Sequence, residues 1–88
     1  MKIPVHLSSH LRSYTRGMSD VEAEGTTLAE LMSDMDRRFP GLRFRVIDEQ
    51  DHIRPHMNFF VGGALVRDLA RPIAPGNEVL IIGALSGG

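Results

Sequence analysis

One helix signal stands alone in the middle of this chain, and it constrains the fold more than any other feature. Thr27 and Glu30 mark a capping box, in which the Thr27 hydroxyl accepts from the Glu30 amide and the Glu30 carboxylate reaches back to the Thr27 amide. Leu28, Leu31, Met32, Met35 and Phe39 then recur at the spacing of one helical face, with Glu30, Asp34, Arg37 and Arg38 elsewhere around the axis. Arg37 and Arg38 suit the negative end of the helix dipole, and Pro40 with Gly41 ends the run. Met32 and Met35 at this spacing read as core rather than as an adaptable binding groove. A lone amphipathic helix must bury its stripe against something else, and the flanking segments have the period of strands.

Ile3, Val5 and Leu7 alternate with Pro4 and His6, the pattern of a half-buried first strand, with Pro4 acceptable only near its beginning. Arg12 to Ser19, polar and carrying Gly17, reads as a turn before a second strand in which Val21 and Ala23 alternate with Asp20, Glu22 and Glu24. After the helix, Phe44, Val46 and Ile53 mark a strand broken by the polar run Asp48 to His52. Met57, Phe59 and Val61 alternate with Asn58 and Phe60; Gly62-Gly63 supplies the positive-φ pair of a two-residue hairpin turn, and Ala64 to Val66 returns. Beyond the turn at Pro75-Gly76-Asn77, the apolar run Val79 to Ile82 suits a strand covered by the helix. The order is strand, strand, helix, strands, an α+β arrangement with a mixed sheet of about four or five strands over one main helix.

The whole chain, 88 residues, is expected to form a single domain, hiding a little over roughly 60% of its unfolded surface. Ten basic side chains against eleven acidic ones give a net charge of -1, without the footprint of a general nucleic-acid or membrane-surface binder. The absence of cysteine excludes a disulfide framework, a thiolate nucleophile and a Cys-type zinc site. Met1 to Ser9 offers no continuous apolar stretch for a signal peptide or membrane span, so a cytoplasmic address is the expectation.

Few side chains are placed for chemistry of their own. His6 and His10 stand four apart, as do His52 and His56, but the first pair begins in a strand and the second encloses Pro55, so neither shares a helical face and surface or hydrogen-bonding histidine outweighs metal ligation. Ser8, Ser9 and Ser13 lack a nucleophile elbow, and Gly62-Gly63 lacks the Lys and Ser/Thr of a phosphate loop, Lys2 being the one lysine. What remains is the last stretch, 83–88, read as a flexible C-terminal tail ending in Gly87-Gly88. Two final glycines arise by chance at about 0.5% when glycine usage is roughly 7%. Glycine without a Cβ passes through a narrow channel and adopts any φ, as a terminus must if an enzyme is to reach its carboxylate.

The stretches Val21 to Leu31, Arg38-Phe39-Pro40-Gly41-Leu42, Gly76-Asn77-Glu78-Val79 and Gly87-Gly88, taken in order, resemble the ubiquitin-like sulfur-carrier family, which includes the molybdopterin synthase small subunit and the thiamine and cysteine-pathway carriers. Arg54 to Val61 is similar to the cysteine-pathway carriers in particular, whereas Gly83-Ala84 and Leu85-Ser86 depart from the family's usual Pro and Val-Ala. The resemblance covers essentially the whole chain and implies a β-grasp fold. It also implies that Gly88 is the site of adenylation and thiocarboxylate formation, with Gly87 beside it. The implied partners are an E1-like adenylating enzyme, which uses ATP and magnesium, and a sulfur-acceptor enzyme of the molybdopterin synthase large-subunit or cysteine-synthase type. On that reading the chain binds no cofactor or metal itself and is a co-substrate rather than a catalyst. A ubiquitin-like modifier joined through Gly88 to a target lysine, or a β-grasp binding module with an inert tail, are the alternatives. Alternation turns Phe60, Leu80 and Ile82 to the open face of the sheet, an apolar patch expected, with Leu85, to dock those partners.

Overall fold

The computed structural model describes residues 2–83. Strands β1 (Lys2–Leu7), β2 (Asp20–Glu24), β3 (Met57–Val61), β4 (Ala64–Val66) and β5 (Val79–Gly83) form one five-stranded sheet in the order β2-β1-β5-β3-β4. Helix α1 (Leu28–Arg38) follows β2, and a short helix α2 (Leu42–Val46) follows α1. β1 and β5 pair in parallel at the centre; β1 with β2, β3 with β5, and β3 with β4 are antiparallel.

The expected alternation decides which face is buried. Ile3, Val5 and Leu7 of β1, Met57, Phe59 and Val61 of β3, and Val79 and Ile81 of β5 are buried, and with Leu28, Leu31, Met32 and Met35 of α1 they form the core. Period two on the sheet meets period 3.6 on the helix, and only one face of each is closed. Phe39, the last residue of the predicted stripe, is buried at the C-cap of α1, its N–H bonded to the Met35 carbonyl at 2.8 Å.

The start of α1 shows how its free donors are met. Thr27 Oγ1 accepts from the Glu30 N–H at 3.2 Å, as expected of the box. The Glu30 carboxylate bonds the Thr26 N–H at 2.8 Å and the Thr26 hydroxyl at 2.7 Å instead of the Thr27 amide. The two preceding helix donors cross to the segment before β5: Leu28 N–H to the Arg71 carbonyl and Ala29 N–H to that of Leu69. Those bonds tie the helix start to a stretch that has no regular structure of its own.

Three local expectations are corrected. Arg12 to Ser19 is not simply a turn, because a 3₁₀ segment, Ser9–Tyr14, occupies its first residues with Leu11 buried beneath it. Phe44 and Val46 lie in α2 rather than in a strand. Leu42 and Val46, four apart, are both buried on one helical face, and Asp36 Oδ1 accepts from the N–H groups of Gly41 and Arg43 at the helix start, each at 3.1 Å. Ile47 and Ile53 meet only as an isolated bridge around the loop that Asp48 Oδ1 organises through the Gln50 and His52 amides. Gly83, expected in the tail, is the last residue of β5: it pairs with Met57, and its N–H is held by Ser8 Oγ at 3.0 Å.

Pro4 is explained by the edge of the sheet. The Glu22 carbonyl accepts from Arg38 Nη2 at 2.6 Å and the Glu24 N–H donates to Asp34 Oδ2 at 2.9 Å, so both residues turn their backbone away from β1 and toward α1. In an antiparallel ladder such positions make no bond to the partner strand, so Pro4, opposite Glu22, removes none there. The same contacts cover an edge that would otherwise invite pairing with another chain. Accepting the Glu24 N–H is also the chief reason the Asp34 carboxyl titrates below its ordinary range, with Arg38 and Arg37 adding to it.

Leu31 is fully buried at the centre of the α1 face. Leu31→Ala should lower the unfolding free energy by about 2–5 kcal/mol in a denaturant titration. A loss below about 0.5 kcal/mol would contradict the packing of α1 on the sheet.

Candidate functional site

The open face of the sheet carries the expected apolar residues in register. Leu80 lies directly between Phe60 of β3 and His6 of β1, and Ile82 lies opposite Asn58. Phe60, Leu80 and Ile82 are half-buried, each between buried neighbours that point to the core. Leu65 extends the row, paired with Phe60 across the Gly62-Gly63 turn and 57% exposed. It was missed in the sequence, although a two-residue turn pairs Val61 with Ala64 and therefore Phe60 with Leu65. Both turn glycines have positive φ, 58° and 88°, as that turn demands. The result is a row of Leu80, Phe60 and Leu65 across three neighbouring strands, with Ile82 beside it.

A charged ridge borders the row. His6 Nδ1 bonds Asp20 Oδ1, and Nε2 lies 2.7 Å from Glu78 Oε1. Both ring nitrogens face carboxylate oxygens, which only accept, so the arrangement suits the doubly protonated imidazolium. The bond to Asp20, and next that to Glu78, raises the His6 pKa above its ordinary 6.5, while the same bond to His6 lowers that of Asp20. His6 is thus a hydrogen-bonding histidine, as the sequence allowed, but its partners, 14 and 72 residues away in sequence, are brought to it only by the fold.

At one end of the face the central strand is pinned. The Ser8 N–H donates to the Ile81 carbonyl at 3.1 Å while Ser8 Oγ accepts from Gly83 N–H, so the residue after β1 holds the last two backbone groups of β5 on its side. A Cβ on Gly83 would stand 3.2 Å from Met57 Sδ and 3.7 Å from His10 Cβ, so Met57 and His10 both pack against the end of β5. His10 stands beside the end of β5, whereas His52 Nδ1 lies 3.9 Å from Asp48 on the opposite side of α2 in sequence. Leu85, Gly87 and Gly88 lie outside the described residues. No helix among the described residues is long and apolar enough to cross a membrane.

Comparison with known proteins gives a consistent result. A family model described as the ThiS family matches residues 5–88. The sulfur carrier protein CysO of Mycobacterium tuberculosis is 33% identical over 93 aligned residues, covering 100% of both chains, and that of Mycobacterium bovis matches equally. Among solved structures, the Amycolatopsis orientalis BexX/CysO complex contains a chain with a TM-score of 0.90 at 29% identity, covering 98% of this chain and 99% of that one. Mycobacterium tuberculosis CysO superposes with a TM-score of 0.87 at 31% identity, covering 94% and 99%. Small archaeal modifier protein 1 from Haloferax volcanii, at 21% identity and a TM-score of 0.83 with 100% of both chains covered, shares the fold.

The His6 arrangement sets a titration with a definite sign. A raised histidine pKa contributes stability that is fully present below 6.5 and lost as pH rises through the folded value; the lowered Asp20 contributes above 3.8, its ordinary value, and is lost as pH falls through its own. The ridge therefore contributes fully between 3.8 and 6.5 and weakens beyond that interval on either side, and the side chains' exposure keeps its effect on stability small. In a proton NMR titration His6 should titrate above 6.5, and Asp20→Asn should bring it down. A His6 value at or below 6.5 in the native chain would contradict the ridge.

Proposed function

The chain belongs to the ThiS family, and on that premise we propose that it is a sulfur carrier whose C-terminal Gly88 is converted to a thiocarboxylate. The observation that carries the reading is its end-to-end match to proteins named as sulfur carriers. The fold agrees with the role: the last described residue, Gly83, is clamped at the end of the central strand, so the residues after it start from a fixed point. The β-grasp frame positions, and the tail reacts.

The chemistry is leaving-group activation. An oxygen of the Gly88 carboxylate attacks the α-phosphorus of ATP on an E1-like adenylating enzyme, and pyrophosphate departs. A sulfur nucleophile then attacks the acyl carbon and AMP leaves with the bonding electrons, so that one carboxylate oxygen is exchanged for sulfur. The thiocarboxylate is itself a good nucleophile for delivery to an acceptor enzyme. ATP and magnesium belong to the activating partner in this reading, and the carrier is a co-substrate, not a catalyst. Likeness to the CysO proteins favours an acceptor of the cysteine-synthase type over the molybdopterin type. The row Phe60, Leu80 and Ile82, joined by Leu65, is the docking face for these partners.

Two sets of variants test the reading with the cognate activating enzyme. Deleting Gly88, or extending the chain by one residue, should reduce ATP–pyrophosphate exchange by on the order of a hundredfold, because displacement of the reacting carboxylate by about 1 Å is enough for such a loss. Gly87→Val should also slow exchange by crowding the channel. Phe60→Asp should leave the melting curve close to wild type while raising KM by about tenfold or more. Exchange with an unprocessed extended chain at the wild-type rate would refute the assignment of Gly88.

A further inference from the structure

A second surface lies at the end of the sheet where β5 stops. Tyr14, Gly41, Phe44, Arg45, Arg54 and His56 line a depression of about 350 Å³. Phe44 is 59% exposed yet held: the Arg54 guanidinium lies 4.7 Å from its ring centroid, and Arg54 Nε donates to the Phe44 carbonyl at 2.9 Å. The Arg45 guanidinium has no hydrogen-bond or ion-pair partner among the described residues. Among the described residues no carboxylate lines the depression. Three acids on the elements packed around it are engaged elsewhere: Asp36 with the Gly41 and Arg43 amides, Asp51 with the Arg43 guanidinium at 2.8 Å, and Asp48, which also feels the Arg54 charge, with its own loop amides, while Glu49 of the same loop is exposed.

The depression is preorganised and well placed. Arg67 donates to the carbonyls of Ile53, Arg54 and Met57 at 3.2, 3.0 and 2.7 Å, fixing the backbone that carries Arg54 and His56. Met57, next to His56, pairs with Gly83, and Tyr14 ends the 3₁₀ segment whose His10 stands beside Gly83. The depression therefore lies at the same end of the sheet as Gly83, the last described residue.

We propose that this aromatic and cationic depression docks an acidic segment of the protein partner that acts on the C-terminal residues. That the partner is an adenylating enzyme rests on the function proposed above; the complementarity rests on the surface itself. A carboxylate pair meets Arg45 and the free edge of the Arg54 guanidinium, and an apolar side chain of the same segment covers Phe44. Charges so placed act mainly on the rate of encounter and on its salt dependence.

The experiment uses the full chain in two arms. In the first, a blocked synthetic peptide, Asp-Glu-Phe-Glu-Asp, is titrated into the ¹⁵N-labelled protein beside a lysine-substituted counterpart and inorganic phosphate. Amide shifts are expected at 41–45 and at 54, 56 and 57 with the acidic peptide alone, fading between about 50 mM and about 500 mM salt. Arg45→Glu should remove them, while Arg71→Glu, a change at an exposed loop residue outside the depression, should leave them. Shifts elsewhere, unchanged shifts in Arg45→Glu, no shifts at all, or equal shifts with phosphate would overturn the proposal. In the second arm, Arg45→Glu should raise KM for the activating enzyme about tenfold at low salt with kcat unchanged, the difference closing as salt rises. If the native chain is not adenylated at all, the proposed function fails and the peptide arm alone decides on the surface. If the native chain is adenylated and Arg45→Glu keeps its KM and salt dependence, the function stands and the docking surface falls.

Discussion

The parallel pairing of β1 with β5 is the constraint on which the rest of the structure depends. Val5, His6 and Leu7 lie against Val79, Leu80 and Ile81, so the first and last strands occupy the middle of the sheet and run the same way. The long stretch of chain between them carries α1, laid across the face that Val5, Leu7, Val79 and Ile81 present. Strand direction also decides where β5 ends. β1 and β5 end side by side, Ser8 closes onto Gly83, and the residues that follow begin at one fixed edge of the fold.

Closing one face of the sheet with a single helix leaves the other open, and that asymmetry supplies the surfaces available to partners. The open face is divided by the register itself: β1 and β2 bring His6 and Asp20, while β5, β3 and β4 bring Leu80, Phe60 and Leu65. His6 held between two carboxylates beside an apolar row gives the face a polar border, and a partner that covers the row meets that border at a known position. The cationic depression beside Gly83 lies at the end of the same sheet, so a protein that reads both surfaces is oriented as well as bound.

Much of this was legible in the sequence wherever local period and tertiary burial agree. The stripe from Leu28 to Phe39, the alternation from Met57 to Val61 and the Gly62-Gly63 turn each state a local preference that the packing keeps. The segment from Leu42 to Ile53 was misread because Phe44, the residue that most favoured a strand, is exposed, while Leu42 and Val46 carry the burial at helical spacing. The Glu30 carboxylate chose Thr26 over Thr27, a difference of one residue that a capping pattern does not resolve. The ridge at His6, the clamp from Ser8 to Gly83 and the reach of Arg67 to three carbonyls join residues distant in sequence, and only the register of the sheet brings them together. The resemblance to sulfur carriers, by contrast, was carried by short stretches in a fixed order, and the match over residues 5–88 agrees with it.

The central claim is that this chain carries sulfur at its last residue, and the identity of the product tests it most directly. The native chain is incubated with its activating enzyme, ATP, magnesium and sulfide, and the C-terminal peptide is then isolated and fragmented in a mass spectrometer. The account predicts that one oxygen of Gly88 is replaced by one sulfur, that the exchange requires ATP, and that the thiocarboxylate reacts with an alkylating agent at that residue alone. A chain that instead becomes joined through Gly88 to lysines of other proteins, or that leaves the reaction at its original mass while the enzyme turns over another carrier, would contradict it.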